Sequence, residues 1–439
     1  MPLKYNKKFG LILILLTFIA GGCGSAPEET DETTDTSSEV IYGVSTAVDG
    51  AGNVYVTGTV NATRDGKTAL GDADVLLVKY NSAGTKQWSL ITGTTAADFV
   101  EDIAIAASGD VYLTGYTYGT LSGETSSGEV DIILMKYDGS GTQQWVKQIG
   151  TASSDFGIGV AVDNASSVYI AGHTYGSMVG TIEGSKDVVV IKYNAAGVQQ
   201  WIKQLGNDED SEATLADGAY AADLAIDSSN NIYVTGFTTS PLDGNASLGG
   251  TDSFIVKYDS LGNKLWSALL GSAGTDYAES IAVDNSGDVL LTGYTSGSLT
   301  GFTNEGLYDL FVIKLDSAGS VSWSQQLGST ANDYVFGVAV DQSNDVFLGG
   351  HTFGALDGDN EGGSDLLLVK YNSAGTHLFT SRTGTEYSEV TYGVSSDMSD
   401  DIFITGYSFK DIDSDDAVEQ VVTTIKYDTS GDQQWRQDF

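Results

Sequence analysis

One cysteine, three prolines and three histidines are all that a chain of 439 residues holds of the side chains that staple, kink or most often ligate metals. The lone cysteine, Cys23, excludes an internal disulfide framework. His173, His351 and His377 form no His-rich metal motif, and no Ser/His/Asp order stands out. Arginine is as scarce, with Arg64, Arg382 and Arg436 at unrelated places, so no arginine cluster for a carboxylate substrate is expected. Basic residues number 20 against 59 acidic ones, for a formal net charge of −39. Such a surface repels nucleic acid phosphates and anionic lipid. It suits cations, basic partners or plain solubility.

Apolar runs are short. The longest, Leu11 to Ile19, follows Lys4, Lys7 and Lys8 and precedes Ala20-Gly21-Gly22. That order reads as a signal peptide over residues 1–22, too short to span a bilayer. Small residues directly before Cys23 resemble a bacterial lipobox. The resemblance implies that cleavage leaves Cys23 as a lipid-modified N-terminus. Gly24 in the next position resembles the outer-membrane sorting pattern. An ordinary signal peptide with a stray thiol is the alternative. Residues 23–39 are acidic and lack large apolar side chains, so they read as a flexible tether.

What the chain has in abundance is repetition. Its six tryptophans, Trp88, Trp145, Trp201, Trp266, Trp323 and Trp435, are separated by 57, 56, 65, 57 and 112 residues. The last gap is twice the period, and Phe379 stands at its midpoint. Seven copies of one unit thus fill residues 40–439. In the fifth copy, Ser280–Asp284, Val289–Thr292, Asp309–Leu315 and Val321–Leu327 read as four strands joined by turns. The third strands (Val75–Val78, Ile132–Met135, Val188–Ile191, Leu366–Val369) are continuous apolar runs, the mark of burial on both faces. Seven four-stranded sheets packed face to face around an axis meet that demand. The expected fold is therefore all-β: a seven-bladed β-propeller of antiparallel blades. The tether offers no strand to exchange, so closure by side-chain packing alone is expected.

Ala47–Gly58 (AVDGAGNVYVTG) with Asp74–Trp88 (DVLLVKYNSAGTKQW) resembles the bacterial SBBP β-propeller repeat, and the likeness recurs seven times. That family is structural, and the resemblance carries over no catalytic residues. Ala106, Val421 and Leu315 depart from the pattern.

Lys79, Lys136, Lys192, Lys257, Lys314, Lys370 and Lys426 share one place in the unit, beside a buried strand. Asp49, Asp163, Asp227, Asp284, Asp341 and Asp397 end the first strand in six copies. These are expected to be structural ion pairs or lysine–carbonyl contacts. The second copy, with Lys136 but Ala106, is the natural test.

Second-to-third loops are long and differ in every copy, whereas the other hairpin turns are short and uniform. Variable loops on a rigid scaffold are where binding usually resides. Tyr116, His173, Phe237, Tyr294, His351 and Tyr407, which follow the second-strand glycine, could ring that face as a stacking platform, or simply pack between blades. Asp357, Asp359, Glu361 and Asp365 in the sixth loop, and Asp411, Asp413, Asp415 and Asp416 in the seventh, alternate oxygen ligands in a way that suits calcium. No other cofactor is implied. The turn before each tryptophan resembles the Asp-box of sialidases but is one residue too long. The expected function is a monomeric, lipid-anchored, non-catalytic propeller on the bacterial outer membrane or cell surface, binding a protein or glycan through the long-loop face. The alternative is a carbohydrate-active hydrolase or lyase using carboxylates near the central channel.

Overall fold

The computed structural model describes residues 41–439 apart from 183, 207–217, 357, 359–361 and 412–417. The segments expected to be a signal peptide and a tether, with Cys23 between them, lie outside the described residues. Strands β1 (Ile41–Val48) to β28 (Gln433–Asp438) form seven four-stranded antiparallel sheets, each in simple chain order. First strands of successive blades touch in a closed circle, with β25 (Val390–Ser396) meeting β1, so they line a central channel. The first blade is built entirely from residues 41–92 and the seventh from 390–438, without strand exchange.

The circle exists because no blade can shield itself. Third strands are buried along almost their whole length, Leu76 and Val190 among them at 0% and 1% exposure. Their partners come from the next blade: Val75 and Leu77 pack with Val100, Leu113 and Ile133. Each such side chain contributes about 1.5–3 kcal/mol when fully buried.

The tryptophans hold the blades at a fixed spacing. Each packs on a left-handed glycine in the last hairpin turn of the following blade: Trp88 on Gly141, Trp145 on Gly197, Trp201 on Gly262, Trp266 on Gly319 and Trp323 on Gly375. Phe379 meets Gly431 in the same way, so it does occupy the missing tryptophan's place. Trp435 closes the ring on Gly84, and its indole N–H donates to the Ser82 carbonyl at 3.4 Å.

The lysine series behaves as expected. Lys314 reaches Asp284 at 2.7 Å, while Lys257 donates to the Ser317 carbonyl at 2.9 Å. Lys136, lacking the first-strand aspartate, pairs with Asp110 at 2.9 Å instead. Six of the seven also lie over the ring opposite them on the second strand, such as Lys79 over Tyr55 at 4.7 Å.

Strand boundaries in the first hairpin differ from the sequence reading. In the fifth blade the first strand, β17 (Asp276–Val283), begins four residues earlier and ends one residue earlier, at Val283 instead of Asp284, and the second, β18 (Val289–Thr295), runs three residues past Thr292. A bulge conceals this extension. Between Ala278 and Ser280 the register slips, leaving Glu279 unpaired, and the equivalent slip occurs in all seven first strands. An extra residue breaks the period-two pattern by which strands are recognised. The seventh long loop also differs. Strands β26 (Ile402–Asp411) and β27 (Val418–Tyr427) extend it as a hairpin from the long-loop face.

Candidate functional site

The long-loop end of the channel collects the aromatics. Because the second strand runs past its glycine, the six ring residues lie within that strand. Each pairs across to the first strand, as Tyr116 does with Phe99 and His173 with Phe156. Four of them then meet a ring of the next blade directly. Tyr116 lies 4.9 Å from Phe156, His173 5.5 Å from Tyr220, Phe237 4.8 Å from Tyr277 and Tyr294 4.8 Å from Tyr334. His351 stacks on Phe336, which meets Tyr392 and through it Tyr407. The result is an aromatic belt through blades two to seven, interrupted at the first blade by Thr59. Tyr116 and His351 are buried, and the other four are half-buried. Blade-to-blade packing is thus the belt's first role.

The freer rings stand two residues further on. Tyr118, Tyr175 and Phe353 are 47%, 37% and 45% exposed, and each leans edge-on against the belt. Their signal in the sequence is an aromatic–Thr–aromatic step after the glycine: YTY in the second blade, HTY in the third and HTF in the sixth.

Just inside the belt the bulges place charge. Glu101 and Glu279 are two of the unpaired bulge residues, and Asp102 and Asp223 follow the bulges of their own strands. Asp102 accepts from the Ser45 hydroxyl at 2.7 Å and from Val160 N–H at 2.8 Å, joining three blades. Asp223 accepts from Ser280 at 2.9 Å and Ile281 N–H at 3.0 Å. Burial pushes Glu101 up to about 8, Glu279 to about 7 and Asp102 to about 6. Burial, then the charge of Asp102, pushes Asp223 to about 7.

These carboxyls bind protons more tightly in the fold than in the unfolded chain. They therefore weaken the fold above their folded pKa values, and the loss is recovered as pH falls through them. Below about 6.5 the histidines act in the opposite sense. Burial drives His351 down to about 3, and burial with the Lys186 charge does the same to His173, so only the unfolded chain takes up those protons. The thermal midpoint should accordingly rise from pH 8.5 to about 6.5. Glu101→Gln combined with Glu279→Gln should flatten that rise. A wild-type midpoint unchanged across the window would contradict the assignment.

Lys186 breaks the repeat. Before the third-strand aspartate other blades carry Ala73, Val130, Thr251, Tyr308 or Ser364. Lys186 is 2% exposed, and burial lowers its pKa to about 8. Its ammonium bonds the Tyr220 hydroxyl and lies 5.1 Å from the Tyr175 ring, and its stem fills the space above Gly218. Its signal in the sequence is a departure from its own repeat position, a lysine where these other blades carry uncharged residues.

Asp357, Asp359, Glu361, Asp413, Asp415 and Asp416 lie outside the described residues. Asp411 ends its hairpin strand. Asp365 is buried, and its Oδ2 accepts from Arg382 at 2.9 Å. Among the described residues no group of three or more His, Cys, Asp or Glu converges as a metal site.

Comparison with known proteins agrees with the architecture. The SBBP model, a β-propeller repeat, matches residues 144–177, 200–243, 265–300 and 322–355. Each match runs from the fourth strand of one blade through the first two of the next. An uncharacterised WD repeat-containing protein, L264, of Acanthamoeba polyphaga mimivirus is 23% identical over 418 residues, covering 71% of this chain and 29% of that protein. The regulatory protein FlaEY of Caulobacter vibrioides is 24% identical over 353 residues, covering 68% and 36%. The chain thus spans about a third of the length of these curated relatives. Among solved structures, a PL25 ulvan lyase bound to a saccharide gives a TM-score of 0.48 at 11% identity, over 91% of this chain and 95% of that one. A likeness this slight carries no argument about activity.

Proposed function

Since this chain is a seven-bladed propeller carrying SBBP-type β-propeller repeats, we propose that it is a surface-tethered, non-catalytic module that binds a glycan on its long-loop face. Cys23 is the proposed lipid attachment point on the bacterial outer membrane or cell surface, with residues 23–39 as the tether. The observation that supports glycan binding is the set of exposed rings, Tyr118, Tyr175 and Phe353, held edge-on by the belt. Rings fixed by packing lose little entropy on contact and offer flat apolar faces to sugar C–H surfaces. The net charge of −39 favours neutral over polyanionic glycans. A glycan array should therefore yield a neutral oligosaccharide ligand. The triple variant Tyr118→Ala, Tyr175→Ala, Phe353→Ala should weaken its binding at least roughly tenfold while melting close to the parent, because these side chains contribute little burial. An array without hits, or a triple variant that binds as tightly as the parent, removes the reading.

The channel carboxyls support the second reading, a carbohydrate-active hydrolase or lyase. Glu101 and Glu279 hold protons near neutral pH, as a general acid must. New reducing ends from incubated oligosaccharides, abolished by Glu101→Gln or Glu279→Gln, would replace binding with catalysis.

A further inference from the structure

Where one blade meets the next on the long-loop side, the start of a third strand faces the start of the following first strand. At four such junctions both carry an aspartate: Asp74 with Asp98, Asp131 with Asp155, Asp252 with Asp276, and Asp309 with Asp333. All eight residues are at most 1% exposed. The third-strand member anchors itself through Oδ2. Asp74 accepts from Leu70 N–H at 2.7 Å, Asp131 from Ser127 N–H at 2.9 Å, Asp252 from Leu248 N–H at 3.0 Å and Asp309 from Glu305 N–H at 3.0 Å. Its Oδ1 is buried and accepts no hydrogen bond, and this holds at all four junctions. Among the described residues none of the eight has a lysine or arginine partner.

At two of the four junctions a single glycine stands close to oxygens of both aspartates. A point at the Cβ position of Gly93 would lie 2.5 Å from Asp74 Oδ1 and 2.6 Å from Asp98 Oδ2. Gly150 stands in the same relation to Asp131 and Asp155, with Gly271 against Asp276 and Gly328 against Asp309. Two neighbouring carboxylates buried away from water repel one another unless a positive charge or a proton offsets them. The charge of the third-strand member is felt by its partner: after burial and opposing hydrogen bonds, it contributes to raising Asp98, Asp155, Asp276 and Asp333.

The remaining junctions serve as internal controls. Between blades three and four the first-strand aspartate is replaced by Ala219, and Lys186 is buried there beside Asp187. Between blades six and seven, where Asp365 meets Glu389, Arg382 bonds the aspartate. Between blades seven and one, Val421 and Ile41 stand at the two acidic positions. Thus the junction that lacks both acids needs no cation, and two others have a cationic side chain close at hand. Among the described residues, only the four Asp–Asp junctions carry two acids and no lysine or arginine partner.

We propose that each of these four junctions binds one hard divalent cation of the calcium class, clamping adjacent blades. Oxygen-only donors at 2.3–2.6 Å are what calcium takes, although each junction supplies two carboxylates rather than three. The alternative is a single proton shared between the two carboxyls, and it makes different predictions.

The test uses the mature chain stripped with EGTA and dialysed against calcium chloride, with bound metal counted. About four calcium ions per chain and a raised melting temperature are expected. Asp74→Asn and Asp252→Asn should each lower the count by about one, which separates these sites from the acidic loops. The parent's count does not depend on any variant folding. No calcium retained at millimolar concentration, with an unchanged melt, overturns the proposal in favour of the shared proton. Calcium retained in a count indifferent to both variants overturns it in favour of the loops.

Discussion

Gly293→Ala should cost at least about 3 kcal/mol, far beyond the usual price of a methyl group. An added Cβ would overlap the Tyr277 carbonyl oxygen and lie 2.8 Å from Tyr277 C and 2.9 Å from Ala278 Cα. Those atoms are backbone and cannot rotate away. The crowding comes from the adjacent bulge at Glu279, which draws the first strand against the second. Gly115, Gly172, Gly236, Gly350 and Gly406 meet the same carbonyl in their own blades. Gly50→Ala is the control, with nothing within 4 Å of its Cβ position. Chemical denaturation should show a large loss for the first variant and less than about 0.5 kcal/mol for the second. Equal midpoints for the two would show that the strands can separate to admit a methyl group.

Lys314→Ala should be nearly as damaging, at about 3–5 kcal/mol. The other six repeat lysines rest on an aromatic ring, but Leu290 is the residue opposite Lys314. Its attraction is purely ionic, to Asp284 at 2.7 Å and Asp288 at 3.3 Å, with side chains only 7% and 1% exposed for the closer pair. Deleting the ammonium strands the Asp284 carboxylate, which also accepts the turn N–H groups of Ser286 and Asp288. Lys314→Met in an Asp284→Asn background should recover most of the loss, because the desolvated charge disappears together with its partner. A double variant no better than Lys314→Ala would point to lost packing, not to an orphaned charge.

The fold was legible because its demands repeat. Tryptophan spacing counted the blades, and the unbroken apolar third strands required neighbours on both sides. The lysine–aspartate reading held even at Lys136, where a second acid replaced the missing one. What escaped was set by geometry between blades. The first-strand bulges have no signature in a window of alternating residues, so nothing in the sequence sets Glu101 and Glu279 apart from the other acids. The paired aspartates stand about 24 residues apart and on different blades, a distance at which sequence alone shows no contact. Tyr118, Tyr175 and Phe353 were within reach, since their aromatic–Thr–aromatic step appears in three copies. Lys186 was within reach too, as a departure from its own column.

The closing contact has a consequence for how the chain acquires its shape. Trp145 meets the Ala195 carbonyl 50 residues ahead, and Trp201, Trp266 and Trp323 meet theirs 59, 51 and 50 residues ahead, whereas Trp435 meets Ser82 across 353 residues. Six seams can be sealed as the polypeptide lengthens. The seventh joins the last blade to the first and can form only after every other blade is in place, and until then the outer faces of those two blades remain uncovered. Contacts so remote in sequence form slowly. The late intermediate is thus an open arc, and its two bare flanks are the surfaces most prone to engage another copy before they find each other.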